Sequence, residues 1–164
     1  MLNKDIVGTE MLQDAENSQE MWENIFRNKE WGKYPPESVI RFIARNFYHK
    51  NRDEIHILEL GIGTGANLWF CAREGFKVSG CEFSQSGVDR FIQRMQNENL
   101  QDKIMQIEVG DYLETLDDLQ FKFNCILDVY SLAYNDFEKT KIIIEKSMNK
   151  MLTGGDFIVN YSYI

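Results

Sequence analysis

The chain has 164 residues and a mass of 19.3 kDa, a size that suits one domain around one core. Eighteen Lys and Arg against twenty-six Asp and Glu give a net charge of −8, which lacks the positive footprint of proteins held to phosphate backbones or anionic lipid. Nucleic acid and membrane are therefore not expected as partners, and a content of 43% hydrophobic and 13% aromatic residues excludes global disorder. No apolar run approaches the roughly 20 residues of a membrane span. The opening MLNKDIVGTEML lacks the apolar stretch and small-residue cleavage site of a secretory signal, so a cytoplasmic protein is expected. Cys71, Cys81 and Cys125 form no CxxC pair and have no His close in sequence. They read as reduced, buried, small apolar residues rather than as a disulfide framework or a metal site.

Residues 1–17 mix charge, amide and a few apolar side chains without sustained periodicity and read as a mobile N-terminus. A helix is predicted from Ser18, its cap, to Lys29, with Trp22, Ile25 and Phe26 on one face. Trp31 to Pro36 breaks it. Pro36 opens a second helix in which Val39, Ile40, Ile43 and Phe47 recur at helical spacing. From Ile55 the apolar run of Ile55, Ile57, Leu58 and Leu60 predicts a strand that ends in glycines, followed by a helix from Thr64 to Glu74 that stops at Gly75. Lys77 to Glu82 reads as the second strand, and Ser84 caps a helix carrying Val88, Phe91, Ile92 and Met95. Strands follow at Ile104 to Val109 and Phe123 to Val129. A helix from Asp136 carries Phe137, Ile144, Met148 and Leu152, and Gly154-Gly155 introduces a fifth strand through Tyr161. This alternation implies right-handed crossovers and a doubly wound, mainly parallel α/β sheet covered on both faces. In such sheets ligands bind beyond the carboxyl ends of the strands, where strand order reverses.

The strongest local feature lies at such an end: Ile57-Leu-Glu59-Leu-Gly61-Ile-Gly63-Thr-Gly65, a buried strand running through three alternating glycines into a helix. Glycine at 61 and 63 permits a tight turn and lets backbone groups approach a ligand that side chains would obstruct. Dinucleotide sites use G-x-G-x-x-G beneath a pyrophosphate, whereas this chain has G-x-G-x-G, a spacing that favours a ligand without pyrophosphate. No Lys-Ser or Lys-Thr follows the glycines, so a Walker A loop is absent.

Glu59-Leu-Gly-Ile-Gly-Thr-Gly65 resembles the first motif of class I S-adenosylmethionine (SAM) dependent methyltransferases, and further motifs follow in order. Val78-Ser-Gly-Cys-Glu-Phe-Ser84 is similar to the end of the family's second strand. The resemblance implies that Glu82 holds both ribose hydroxyls, as a carboxylate accepting two hydrogen bonds can, with Phe83 beside the adenine. Gly110-Asp111-Tyr112 resembles the adenine-edge motif, Asp111 accepting from the exocyclic amine and Tyr112 supplying a backbone donor. Asp128 to Tyr134 ends the fourth strand where the family places the transferring methyl and its acceptor, and Met151 to Phe157 looks like the turn before strand five. The likeness covers about residues 55 to 161. Upstream, Trp31-Gly-Lys-Tyr-Pro35 and Ala66 to Phe76 resemble a group of bacterial methyltransferases, some associated with surface glycans, in which the N-terminal segment covers the cofactor; Tyr34 is then a lid contact. The implied organisation is a mobile segment at 1–17, a helical lid at 18–50 and a SAM-binding core at 51–164. The implied cofactor residues are Tyr34, Glu59, Gly61, Gly63, Glu82, Phe83, Asp111, Tyr112 and Asp128, with no metal.

The family's sheet has seven strands, the last two an antiparallel edge, so the resemblance implies a Rossmann-like class I methyltransferase fold lacking those strands. A hydrophobic strand five would then need cover. A truncated form, or one completed by a homodimer partner or another chain, is expected, with incomplete activity. The nucleic-acid amine signature with Pro-Pro is absent at Asp128-Val-Tyr130-Ser131, which with the acidic charge favours a small-molecule acceptor. Tyr130 and Tyr134 are candidates to face it. His49 and His56 fall on the wrong side for chemistry, and no catalytic base is assigned. Two alternatives remain: a noncatalytic SAM-binding or interaction module, and an NAD-dependent oxidoreductase, which the glycine spacing disfavours.

Overall fold

A computed structural model of the protein describes residues 17–160. Helix α1 covers 17–28 and α2 covers Glu37–Phe47. The α/β part then runs β1 (His56–Leu60), α3 (Ala66–Arg73), β2 (Lys77–Glu82), α4 (Gln85–Asn97), β3 (Ile104–Val109), α5 (Tyr112–Asp118), β4 (Phe123–Val129), α6 (Phe137–Asn149) and β5 (Met151–Asn160). All pairings are parallel and the strand order is β3-β2-β1-β4-β5, so the order reverses between β1 and β4. The expected doubly wound α/β sheet is what the chain forms. Residues 1–16 of the expected mobile segment 1–17 and Tyr161 lie outside the described residues, and residue 17 is already helical.

The strands at the centre read as continuous apolar runs because both faces are covered. All five residues of β1 are buried, and Ile57 packs on one face while Leu58 and Leu60 pack on the other. The first face receives Val39, Ile43 and Phe47 of α2, Leu68 and Cys71 of α3, and Phe91 and Met95 of α4. The second receives Leu116 of α5 and Ile143 of α6. Cys71, Cys81 and Cys125 are all buried, as expected.

Three local expectations are corrected, and one helix is added. Ser18 is not a cap, because the helix already includes residue 17. The segment between β3 and β4 folds as α5, which no periodic stripe announces in its seven residues. In α6 the buried positions are Ile143 and Ser147, while Phe137 and Met148 of the predicted stripe are exposed, and Leu152 belongs to β5. Three consecutive isoleucines, 142–144, offer an apolar residue to more than one face, so the repeat alone picks the wrong one. Strand β5 begins at Met151 rather than after the Gly pair, and its register against β4 shifts between Phe123 and Cys125, with Gly154 at φ +77°. His56 starts β1 at the end away from the glycines and shares a 2.8 Å hydrogen bond with Ser79 Oγ; burial lowers its pKa to about 4.

Gly65 has φ +79°, and a Cβ there would stand 2.1 Å from Cδ2 of Phe91. Gly65→Ala should therefore lower stability by about 2–4 kcal/mol, combining left-handed strain with overpacking. Gly32→Ala, with nothing within 4 Å of the new carbon, should be neutral; urea midpoints of the two variants check this.

Candidate functional site

The glycine loop is bent by its neighbours as much as by its own freedom. Gly61 N–H and Ile62 N–H both donate to Cys81 O, at 2.9 and 3.2 Å, which extends the β1–β2 pairing past the strand end. A Cβ on Gly61 would lie 2.5 Å from Ser131 Cβ and 2.6 Å from Tyr112 Oη, and one on Gly63 would meet Phe26 at 3.1 Å. The sequence explanation was room for a ligand; the first groups to use that room are protein side chains from β4's following loop, α5 and α1.

Three carboxylates stand at the strand ends. Glu82 accepts from Gly63 N–H at 2.7 Å through one oxygen and from Ser84 N–H at 2.9 Å through the other, and burial raises its pKa against these bonds. Glu59 accepts from Asn67 Nδ2 at 2.5 Å, but its Oε2 is buried with no hydrogen-bond partner, and burial raises its pKa well above the ordinary value. Asp128 accepts from Leu132 N–H at 2.9 Å and is likewise raised by burial.

Above these ends opens a cavity of about 1150 Å³, beyond the ~300–1,000 Å³ of common small-molecule sites. Tyr34, Glu59, Gly61, Gly63, Glu82, Phe83, Asp111 and Tyr112 all line it, so eight of the nine predicted cofactor residues come together. The ninth, Asp128, is fully buried and is not among the residues that line the cavity. Asp111 caps α5 by accepting from Leu113 N–H at 2.8 Å and is ion-paired with Lys139, whose Nζ also lies 5.6 Å from the Phe83 ring centroid. Tyr112 Oη shares a 2.7 Å hydrogen bond with Ser131 Oγ. Tyr34 packs edge-on to Trp69, with ring centroids 5.8 Å apart.

A further part of the wall is α1. Phe26 sits on Gly63, Trp22 stacks on Phe26 at 5.5 Å, and Trp22 meets Tyr134 edge-on at 4.9 Å. Glu23 accepts from Ser84 Oγ at 2.6 Å and from Ser86 N–H at 3.1 Å, capping the start of α4 from a separate helix. Arg90 donates to Lys29 O at 2.8 Å and Arg94 to Lys33 O at 2.5 Å.

Residues 57–155, from β1 into β5, match a family described as methyltransferase domain. The chain belongs to that family. Among solved structures the methyltransferase chain is similar to the glycopeptide N-methyltransferase MtfA complexed with sinefungin, at 18% identity and TM-score 0.65, over 80% of this chain and 51% of that one. It is also similar to the CcbJ methyltransferase from Streptomyces caelestis, at 19% identity and TM-score 0.65, over 84% and 54%. A third likeness is TehB from Haemophilus influenzae, at 18% identity and TM-score 0.63, over 82% and 44%. It thus spans about half the length of these proteins. No curated protein matches it in sequence.

Among the residues that build the cavity, sequence reasoning missed Phe26, Asn67, Ser131 and Lys139 on its wall and Glu23, which anchors α1 beside it. Each depends on a partner 8 to 63 positions away, and no local motif signals such contacts.

Hydrogen bonds from Ser84 and then Ser86 lower the pKa of Glu23 from 4.5 to about 2. A depressed carboxylate stabilises docking fully above its ordinary value and loses that contribution as pH falls from about 4.5 towards 2. Emission from Trp22 should therefore shift to that of exposed indole across this window. Glu23→Gln should loosen α1 by about 1–2 kcal/mol, the scale of a lost helix cap, and remove the shift; limited proteolysis of α1 gives the second readout.

Proposed function

We propose that this domain binds SAM and catalyses transfer of its methyl group to a small-molecule acceptor, leaving S-adenosylhomocysteine. The observation that carries the reading is the unpartnered Oε2 of Glu59, buried in the wall of a large cavity. A buried carboxylate oxygen without a donor is costly, and the ammonium of a methionyl group is a donor of the right charge. Glu82 supports the ribose end: each oxygen already takes one backbone N–H and keeps a lone pair for a hydroxyl. Phe83, Asp111 and Tyr112 line the same side and fit an adenine, with Asp111 sharing its carboxylate between the helix cap, Lys139 and the exocyclic amine. The donor set therefore fits SAM.

When bound, SAM supplies an electrophilic methyl on a sulfonium. The chain's own part is positioning and the exclusion of water. Gly61 and Gly63 bring backbone close to the ligand, and Trp22 and Phe26 of α1 close the cavity as a lid with Tyr34 on its rim, while α2, the rest of the expected lid segment 18–50, packs in the core. No described helix is long and apolar enough to cross a membrane.

Titration calorimetry should register SAM and S-adenosylhomocysteine, with NAD far weaker; NAD at equal affinity, or silence from both sulfur ligands, refutes the reading. Glu82→Gln should weaken SAM by about 1–3 kcal/mol through the lost charge-assisted contact. It should also lower the urea midpoint, because an amide turns a donor towards one of the two backbone N–H groups.

Glu59 gives an independent check. Its raised pKa means that ionising it costs the free protein, and an ammonium partner favours the charged form, so binding should release protons. Calorimetry at pH 6 in buffers of different ionisation enthalpy should detect this release, and Glu59→Gln should abolish it.

A further inference from the structure

The cavity has a second chemistry beyond the one that fits SAM, and its assignment rests on the methyltransferase reading. Its rim carries large aromatic rings that the fold leaves in contact with water: Trp31 is 45% exposed, Tyr34 74% and Tyr134 65%. Trp31 and Tyr134 join Trp22 and Phe26 in a linked wall, Trp31 meeting Phe26 edge-on at 5.2 Å and Trp22 at 6.2 Å, and Tyr134 meeting Trp22 at 4.9 Å. Exposed rings gathered at a cavity mouth mark a surface that binds something. The charge of the wall says what. Among the described residues it holds five carboxylates, Glu59, Glu82, Asp111, Glu114 and Asp136, against one cation, Lys139, which Asp111 already neutralises. A SAM of net charge +1 leaves three negative charges in excess. Asp136 stands two residues after Tyr134; one of its oxygens caps α6 through Lys139 N–H at 2.8 Å, and its charge faces the same mouth.

Ring faces and surplus carboxylate both favour a cation. The wall also holds no imidazole among the described residues, and its lysine is paired. A hydroxyl acceptor would need a base strong enough to remove its proton, whereas an ammonium gives its proton to water and leaves a neutral, strongly nucleophilic amine.

We propose that the acceptor is a primary or secondary amine on an apolar or aromatic carrier, held as its ammonium against Trp22, Trp31 and Tyr134 with Asp136 as the counter-charge. The ammonium releases one proton to water at the open mouth. The nitrogen lone pair then forms the N–C bond while the S–C bond breaks, that bond's electron pair staying on sulfur. The sulfonium becomes a neutral thioether and the product leaves as an N-methylammonium ion.

The test uses the whole 164-residue chain saturated with S-adenosylhomocysteine, whose own binding is measured first. Three probes of matched shape are titrated at pH 7.5 by tryptophan emission and calorimetry: phenethylamine as the cation, 2-phenylethanol as the neutral form and 3-phenylpropanoate as the anion. The expected order is cation at least tenfold tighter than alcohol, with the anion weakest. Trp31→Leu and, separately, Asp136→Asn should each cost about tenfold for the cation while reducing the alcohol far less. Alcohol or anion binding as tightly as the cation overturns the assignment, as does binding of S-adenosylhomocysteine without any response to the cation; the methyltransferase reading survives both results. Failure of S-adenosylhomocysteine itself to bind sinks that reading and the amine acceptor with it.

Discussion

Glu59, Glu82 and Asp128 end three adjacent strands, β1, β2 and β4, and all three carboxylates are buried. Burying such groups costs several kcal/mol each unless donors meet them, and the loops above the sheet are arranged to supply those donors. Glu82 is met by the backbone of the glycine loop and by the first residue before α4; Glu59 by Asn67 in the first turn of α3; Asp128 by the turn after β4. Gly63 can present its N–H to Glu82 because φ +53° is open to glycine. The starting points of two helices and the path of the loop are therefore set by the need to solvate negative charge without water. Two oxygens, Oε2 of Glu59 and Oδ2 of Asp128, are left over, and of these two residues Glu59 lines the cavity.

The cavity's two halves are held by different means. The sheet side is fixed by core packing and backbone pairing. The α1 side is fixed by opposite charges placed at helix ends: Glu23 at the start of α4, and Arg90 on the carbonyls of Arg27 and Lys29 at the end of α1. Because Ser84, the cap of α4, follows two residues after Glu82, the segment that covers the cavity is anchored next to the carboxylate proposed to hold the ribose. Movement of α1 and order at Glu82 share one set of hydrogen bonds through Ser84.

Elements whose pattern is set by burial were legible in the sequence. The strand bounds of β2, β3 and β4 agree with their apolar runs, and the stripe Val88, Phe91 and Met95 is the buried face of α4. The order Glu59, Glu82, Asp111 along the chain foretold that these residues meet, because parallel strands bring successive carboxyl ends to one edge. Short or ambiguous patterns were not legible. Helix α5 is too short for a 3.6-residue repeat to declare itself, and its cap, Asp111, carried a competing reading as a ligand contact. Asp128 looked like its neighbours in sequence but is fully buried and accepts from Leu132 N–H in the turn after β4, away from the cavity lining. The roles of Gly61 and Gly63 were half visible: the need for glycine was plain, while the side chains that occupy the vacated space come from distant segments.

The burial of the three cysteines has a meaning of its own beside a methyl donor. A sulfonium is an electrophile, and thiolate is the side chain best able to take its methyl group. Burial raises the thiol of Cys81 to about 12 and that of Cys71 well above its ordinary value, and Cys125 is shifted in the same direction. Cys81 lies directly beneath the glycine loop, its carbonyl bonded to Gly61 and Ile62, yet its sulfur stays in the apolar layer with Leu58 and Leu116. The core thus keeps its sulfur in the unreactive form, so in the proposed reaction no core thiolate competes with the acceptor for the methyl group.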